Sequence, residues 1–321
     1  MLNDFIDQFG PSTVGGLAAG AIYALIALGY TMVYGVLRLI NFAHSEIFMI
    51  GTFSGLAVIM TLGVSEPQSG IALIGLLLLL SVVAMVGSGA AAVALEQIAY
   101  RPLRKKGSSR LAALISAIGA SIFLQELFAI VVIPHLYDHP RGRDNIGTQQ
   151  LLDKEPLFTL GNTDVRPDHL IVIVASIAMM IALDFFVNRS RIGRGIRATA
   201  QNPETAVLMG INIDRIVRIT FFVGGCMAGI AGLLYLLQFE ETRYNIGFVL
   251  GIKAFTAAVL GGIGNLRGAL LGGLALGLIE NWGAIFFGSA WKDVIAFTVL
   301  VVILMFRPTG ILGESLQVAR A

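Results

Sequence analysis

Residues 219–239 read ITFFVGGCMAGIAGLLYLLQF, a stretch with no charged side chain. As a helix it is long enough to cross the ~30 Å hydrocarbon core of a bilayer. Just before it, residues 189–214 read RSRIGRGIRATAQNPETAVLMGINID, which is polar and basic. Further upstream the chain turns apolar again, with His169–Asn188 broken only by Asp184. The alternation runs through the whole sequence. Gln8–Leu37, Ile47–Ser65 and Pro67–Leu95 carry no charge, and Leu111–Pro134 is interrupted only by Glu126. Beyond residue 239, Gly251–Gly264 is short and glycine-rich, Ala269–Phe287 contains Glu280, and Val294–Phe306 is short but wholly apolar. The pattern predicts an all-α, polytopic transmembrane helix bundle of eight to nine spans. Residues 251–264 form either the ninth span or a re-entrant, broken helix.

Composition agrees. The 321 residues are 56% hydrophobic and 13% charged, against about 25% charged in soluble domains. The length suits one membrane domain over residues 1–321 and leaves no room for several soluble ones. A net charge of +2 gives no reason to expect a nucleic-acid partner. The one cysteine, Cys226, excludes an intrachain disulfide. The opening residues, MLNDFIDQFG, lack the basic region of a signal peptide, so no cleavage is expected.

Lys and Arg in short loops mark the cytoplasmic side. The Tyr100–Arg110 loop holds Arg101, Arg104, Lys105, Lys106 and Arg110, and the 189–218 segment holds six arginines. Both are expected inside. The loop at about 135–168, with four basic and six acidic residues, is expected outside. Counting from there puts the N-terminus outside. Arg307 and Arg320 fall inside only if 251–264 crosses. Glycines recur at four-residue spacing at Gly16/Gly20, Gly51/Gly55, Gly225/Gly229, Gly268/Gly272 and Gly273/Gly277. Small residues so spaced let helices approach closely in lipid.

Within the basic segment at about 189–214, Asn202-Pro203-Glu204 is a helix start. Asn caps free N–H groups, Pro suits the first helical position, and Glu complements the dipole. Ala206, Val207, Leu208 and Met209 follow, and Gly210 supplies the stop. A two-turn helix with an exposed apolar face suits a docking site. It suits also a helix that lies on headgroups, where Arg189–Arg197 would attract anionic lipid, or one that packs back on its own bundle.

Charged groups inside a span require a reason, because each costs ~2.5–3.5 kcal/mol at mid-bilayer on insertion scales. Asn41, His44 and Glu46 form the densest group, with Arg38 nearby. If the segment is helical, Asn41 and His44 share a face. They line a pathway, or else Arg38 marks the interface and Glu46 pairs with it or with His44. Glu126, Glu280 and Asn281 are further pathway candidates. Asp184 lies near a span end.

Several chemistries are excluded. No Gly-Lys dipeptide exists, so there is no Walker A loop. His135 and His139 have zinc spacing but no third ligand, and read as solvated loop residues. No His-Glu-x-x-His or Gly-x-Ser-x-Gly is present.

Glu204-Thr205-Ala206, three residues, then Gly210 resembles the Glu-Ala-Ala-x-x-x-Gly loop of ABC importer permeases, with Thr205 departing from the consensus Ala. Residues 34–44 (YGVLRLINFAH), 101–104 (RPLR) and 257–265 (AAVLGGIGN) resemble the branched-chain (hydrophobic) amino-acid ABC permease family. The resemblance runs over about residues 12–312. It implies a permease subunit of a binding-protein-dependent importer in the bacterial cytoplasmic membrane, not an enzyme and without a cofactor of its own. The implied partners are a homologous second permease, two ATPases that bind ATP and Mg, and an external solute-binding protein. The implied cargo is a branched-chain or other hydrophobic amino acid, moved by alternating access. Asn202, Pro203, Glu204, Ala206, Leu208 and Gly210 would then couple to the ATPase. A proton-coupled secondary carrier, using His44, Glu46 and Glu280 in series, is the alternative.

Overall fold

The computed structural model describes residues 2–161 and 163–313, so Arg320 lies outside the described residues. In chain order the helices are α1 (Leu2–Leu37), α2 (His44–Leu62) and α3 (Gly70–Lys105, through a π turn at Glu96–Tyr100). Next come α4 (Arg110–Leu127, carried through a π turn at Phe128–Val132 to Leu136) and α5 (Pro167–Arg189). The basic segment folds as α6 (Arg191–Gln201) and α7 (Pro203–Leu208). The rest is α8 (Ile213–Phe239), α9 (Ile246–Gly261), α10 (Leu266–Phe287) and α11 (Ser289–Phe306, opening on a 3-10 turn at Ser289–Trp291). Among the described residues, eight helices are long and apolar enough to span a membrane, and α9 is a shorter apolar one.

α1 and α8 form the centre, 89% and 83% buried along their most apolar stretches, whereas the corresponding stretch of α11 is 6% buried. The glycine spacing explains the tightest packing. α1 runs antiparallel to α10, and a Cβ at Gly20 would stand 2.7 Å from the Gly273 carbonyl oxygen, while one at Gly16 would meet that of Gly277 at 2.9 Å. With no hydrophobic drive between helices in lipid, this backbone approach supplies the dispersion contacts that hold them.

α8 and α10 begin at the same end of the bundle. α1 ends there too, with Arg38 donating to the Ala200 carbonyl, and Arg267 at the start of α10 reaches Asp184 near the end of α5 at 3.6 Å. The chain between α8 and α10 must therefore return through the bundle. It does so as a non-helical arm plus α9. Thr242 in the arm meets Thr52, midway along α2, at 2.6 Å, and Gly247 packs on the Ser45 carbonyl. Residues 251–264 thus belong to the second part of a broken crossing. At its foot, Ile311 and Leu312 donate to the carbonyls of Leu260 and Gly261 at 2.8 and 3.0 Å.

The opposite end is covered by the 135–168 loop. Its β1 (Ile146–Gly147) pairs with β4 (Glu241–Thr242), and β2 (Phe158–Leu160) pairs with β3 (Thr163–Val165). Tyr137 donates to the Phe53 carbonyl at 2.7 Å. Burial pushes its phenol up to about 12, so it keeps that proton at neutral pH.

α2 starts inside the bundle. His44 packs against Gly29, about two turns before the end of α1, and Gly29 in turn sits on Gly224. Gly224 lies roughly 16 Å along α8 from its first residue at 1.5 Å per residue. The non-helical stretch 38–43 that brings the chain to this depth is a break in the first two spans.

Candidate functional site

The end bearing α6 and α7 projects a small built unit. Ser190 caps α6 by accepting from Gly193 N at 2.8 Å, and Asn202 caps α7 by accepting from Thr205 N at 3.1 Å. Gly210, at φ +80°, ends the turn, with its N–H on Val207 and that of Ile211 on Ala206. Ala206 is buried beneath, whereas Leu208 is 86% and Met209 79% exposed. Pro203 and Glu204 are exposed on the first turn. The sequence expectation of a capped two-turn helix holds at these residues. The sequence reading missed α6, whose Gly193, Gly195, Ile196 and Thr199 face inward while Arg191, Arg194 and Arg197 face out. Arginines every third residue were the available signal.

Arg38 connects this unit to the interior. Its guanidinium donates to Ala200 O at 3.3 Å, two residues before the α7 cap, and its backbone sits at φ +52°, a left-handed conformation uncommon outside glycine. Arg38 therefore does not pair with Glu46.

From Arg38 the chain enters the buried polar break. Asn41 accepts from the Tyr100 hydroxyl at 2.8 Å, and its carbonyl accepts from His44 N at 3.0 Å. Asn41 lies before α2 rather than on it, so the expected shared helix face with His44 is replaced by a turn. The His44 ring sits edge-on to Tyr30 with centroids 4.9 Å apart. It does not pair with Glu46, since residues two apart on a helix point to different faces. Glu46 is wholly buried. Its Oε1 accepts from Gln125 Nε2 at 2.9 Å, Ser121 Oγ at 3.0 Å and Ser45 Oγ at 3.2 Å. Its Oε2 has no hydrogen-bond partner.

The remaining candidates go elsewhere. Glu126 takes Arg143 of the far loop at 2.8 Å on the exposed side. Successive helical residues point about 100° apart, so Gln125 turns inward where Glu126 turns out. Glu280 is buried against Lys253 Nζ at 2.8 Å, and Lys253 also reaches Asp293 at 2.6 Å. Asn281 donates to Gly277 O at 2.9 Å and accepts from Lys292 at 2.8 Å. Lys253 was missed as a partner, although a lysine within an apolar run was the cue. A second unforeseen group ties α3 to α8, with Arg104 on buried Glu96 at 3.2 Å and on Asp214 at 2.6 Å. Among the described residues Glu46, Glu126 and Glu280 thus sit in separate contact groups rather than in a series.

The branched-chain amino acid transport system permease component family matches residues 12–304. The chain belongs to this family. It is accordingly a permease component of an ABC-type importer, a multi-pass inner-membrane protein and a transport subunit rather than an enzyme. A high-affinity branched-chain amino acid transport system permease protein, BraD of Pseudomonas aeruginosa, is 41% identical over 305 residues, 94% of each chain. LivH of Escherichia coli, of the same description, is 40% identical over 305 residues, 93% of this chain and 94% of its own. Among solved structures, PsaBC from Streptococcus pneumoniae in complex with Fab aligns over 96% of this chain and 97% of its own, at 14% identity and TM-score 0.47.

Proposed function

We propose that this permease moves branched-chain or other hydrophobic amino acids by alternating access, with the whole chain acting as one permease domain. It works with a homologous second permease, two ATPases and an external solute-binding protein. α7 is the coupling helix. The observation that carries this reading is the capped helix Pro203–Leu208, which holds Leu208 and Met209 out of the bundle beside the charged Glu204. Exposed apolar side chains on a locally rigid unit suit a protein cleft better than water.

With α7 inside the cell, the start of α1 and the 135–168 loop face out, and Arg307 faces in. Closure of the ATPases pushes α7. The push reaches Arg38 through Ala200 and shifts the 38–43 break against α8 and α9, where Asn41, His44 and Glu46 sit. Glu280 and Asn281 hold α10 to its neighbours, and Glu126 fastens the far loop.

Reconstitution into liposomes tests this. The chain with its partner permease, ATPases and loaded binding protein accumulates leucine only with internal ATP. Accumulation by the chain alone under a proton gradient would establish the secondary-carrier reading instead.

A further inference from the structure

Among the described residues four carboxylates are buried: Glu46, Glu96, Asp168 and Glu280. Three have a cation. Asp168 pairs with Arg166, Glu96 with Arg104, and Glu280 with Lys253. Glu46 has none. Its nearest basic neighbours in sequence are engaged otherwise, Arg38 at Ala200 and His44 edge-on to Tyr30. A buried acid is retained at such cost only where something compensates it.

Three neutral donors converge on Glu46 Oε1. Oε2 faces the first turn of α9, where a Cβ added to Gly247 would stand 3.1 Å from it. The positive end of that 16-residue helix stabilises an anion there. Oε2 nevertheless lacks a hydrogen-bond partner. Gly247 backs onto that buried oxygen with no side chain of its own, at the seam between the broken α1–α2 crossing and the broken arm–α9 crossing. In the arm just before it, Arg243 Nε and Asn245 Oδ1 are likewise buried without partners.

We propose that Glu46 is the counter-charge for the α-ammonium group of the transported amino acid as it passes between these two breaks. The proposal rests on the amino-acid cargo assigned above. A free amino acid is a zwitterion, and its cationic end needs an anion wherever water is excluded. Glu46 supplies a full charge at a place that opens when the breaks move, while its three donors keep it oriented in the absence of cargo.

The test uses the complete complex in proteoliposomes, with radiolabelled leucine as probe. The readout is leucine delivered per ATP hydrolysed, a ratio that a smaller folded fraction leaves unchanged. E46Q keeps the shape and loses the charge. Its ratio is expected to fall ~30-fold or more, the loss typical when one member of a buried charge pair is removed. E46D keeps the charge and recovers most of the ratio. An E46Q complex with the unaltered ratio overturns the proposal, and so does an assembled E46D complex as deficient as E46Q. E46D alone decides if E46Q fails to assemble. Absence of ATP-dependent leucine uptake by the unaltered complex overturns the cargo reading on which the site rests.

Discussion

The proposed coupling unit and the buried polar break invert each other. At residues 203–210 apolar side chains stand in the open, and at residues 41–46 polar ones are sealed inside. The first is assembled from neighbours in sequence: an Asn cap, a Pro start and a Gly stop within nine residues. The second is assembled from distant chain segments, since Tyr100, Ser121, Gln125 and Gly247 all reach the 41–46 stretch from other helices. In the proposed mechanism the first unit fits a separate protein and keeps its shape by itself, while the second changes shape and depends on contacts that can be traded.

The largest effect is expected where buried charge is most tightly compensated, away from both regions. K253M leaves Glu280 buried without a cation, which typically costs 3–5 kcal/mol or roughly that order. The purified chain should melt well below the unaltered one. K253M/E280Q should recover much of the loss, because no charge is then stranded. A K253M chain that melts normally would mean that Glu280 is already neutral, and would weaken the contrast between it and Glu46.

Next in size is the coupling unit. E204R reverses a charge on the exposed first turn of α7, and L208D puts a charge on its most exposed apolar side chain. Each should lower leucine uptake by the assembled system about 30-fold or more, the scale of an interface hot spot. The melting temperature of the isolated chain should not move, since neither side chain packs on the bundle. Uptake unchanged in both variants would remove α7 from the coupling role and leave the headgroup reading.

The same contrast explains what could be read in advance. The spans were legible because lipid demands long charge-free runs. α7 was legible because caps and stops are local chemistry. Glu46, His44 and Asn41 were legible as anomalies, since a polar group in an apolar run stands out, but their partners were not. The 250s were ambiguous because a 16-residue helix is too short to cross alone, and no pattern announces that residues 240–245 complete the passage. The partner of Glu126 was not legible, because a one-residue step on a helix decides between Gln125 turned to Glu46 and Glu126 turned to Arg143.

The smallest effect concerns Arg38, the contact between the two regions. Its left-handed backbone costs ~1–2 kcal/mol for a residue with a Cβ. Its single hydrogen bond to Ala200, at 3.3 Å, returns about 1 kcal/mol or less. R38G removes both, so stability should change by less than about 1 kcal/mol. R38A keeps the strain and loses the bond, and should melt below R38G. Both should lower leucine delivered per ATP by the same few-fold factor, about the worth of one hydrogen bond, because both cut the contact through which α7 reaches the break. Equal melting with unequal coupling would place the link in the backbone strain at residue 38. Unequal melting with equal coupling places it in the guanidinium, where the geometry has it.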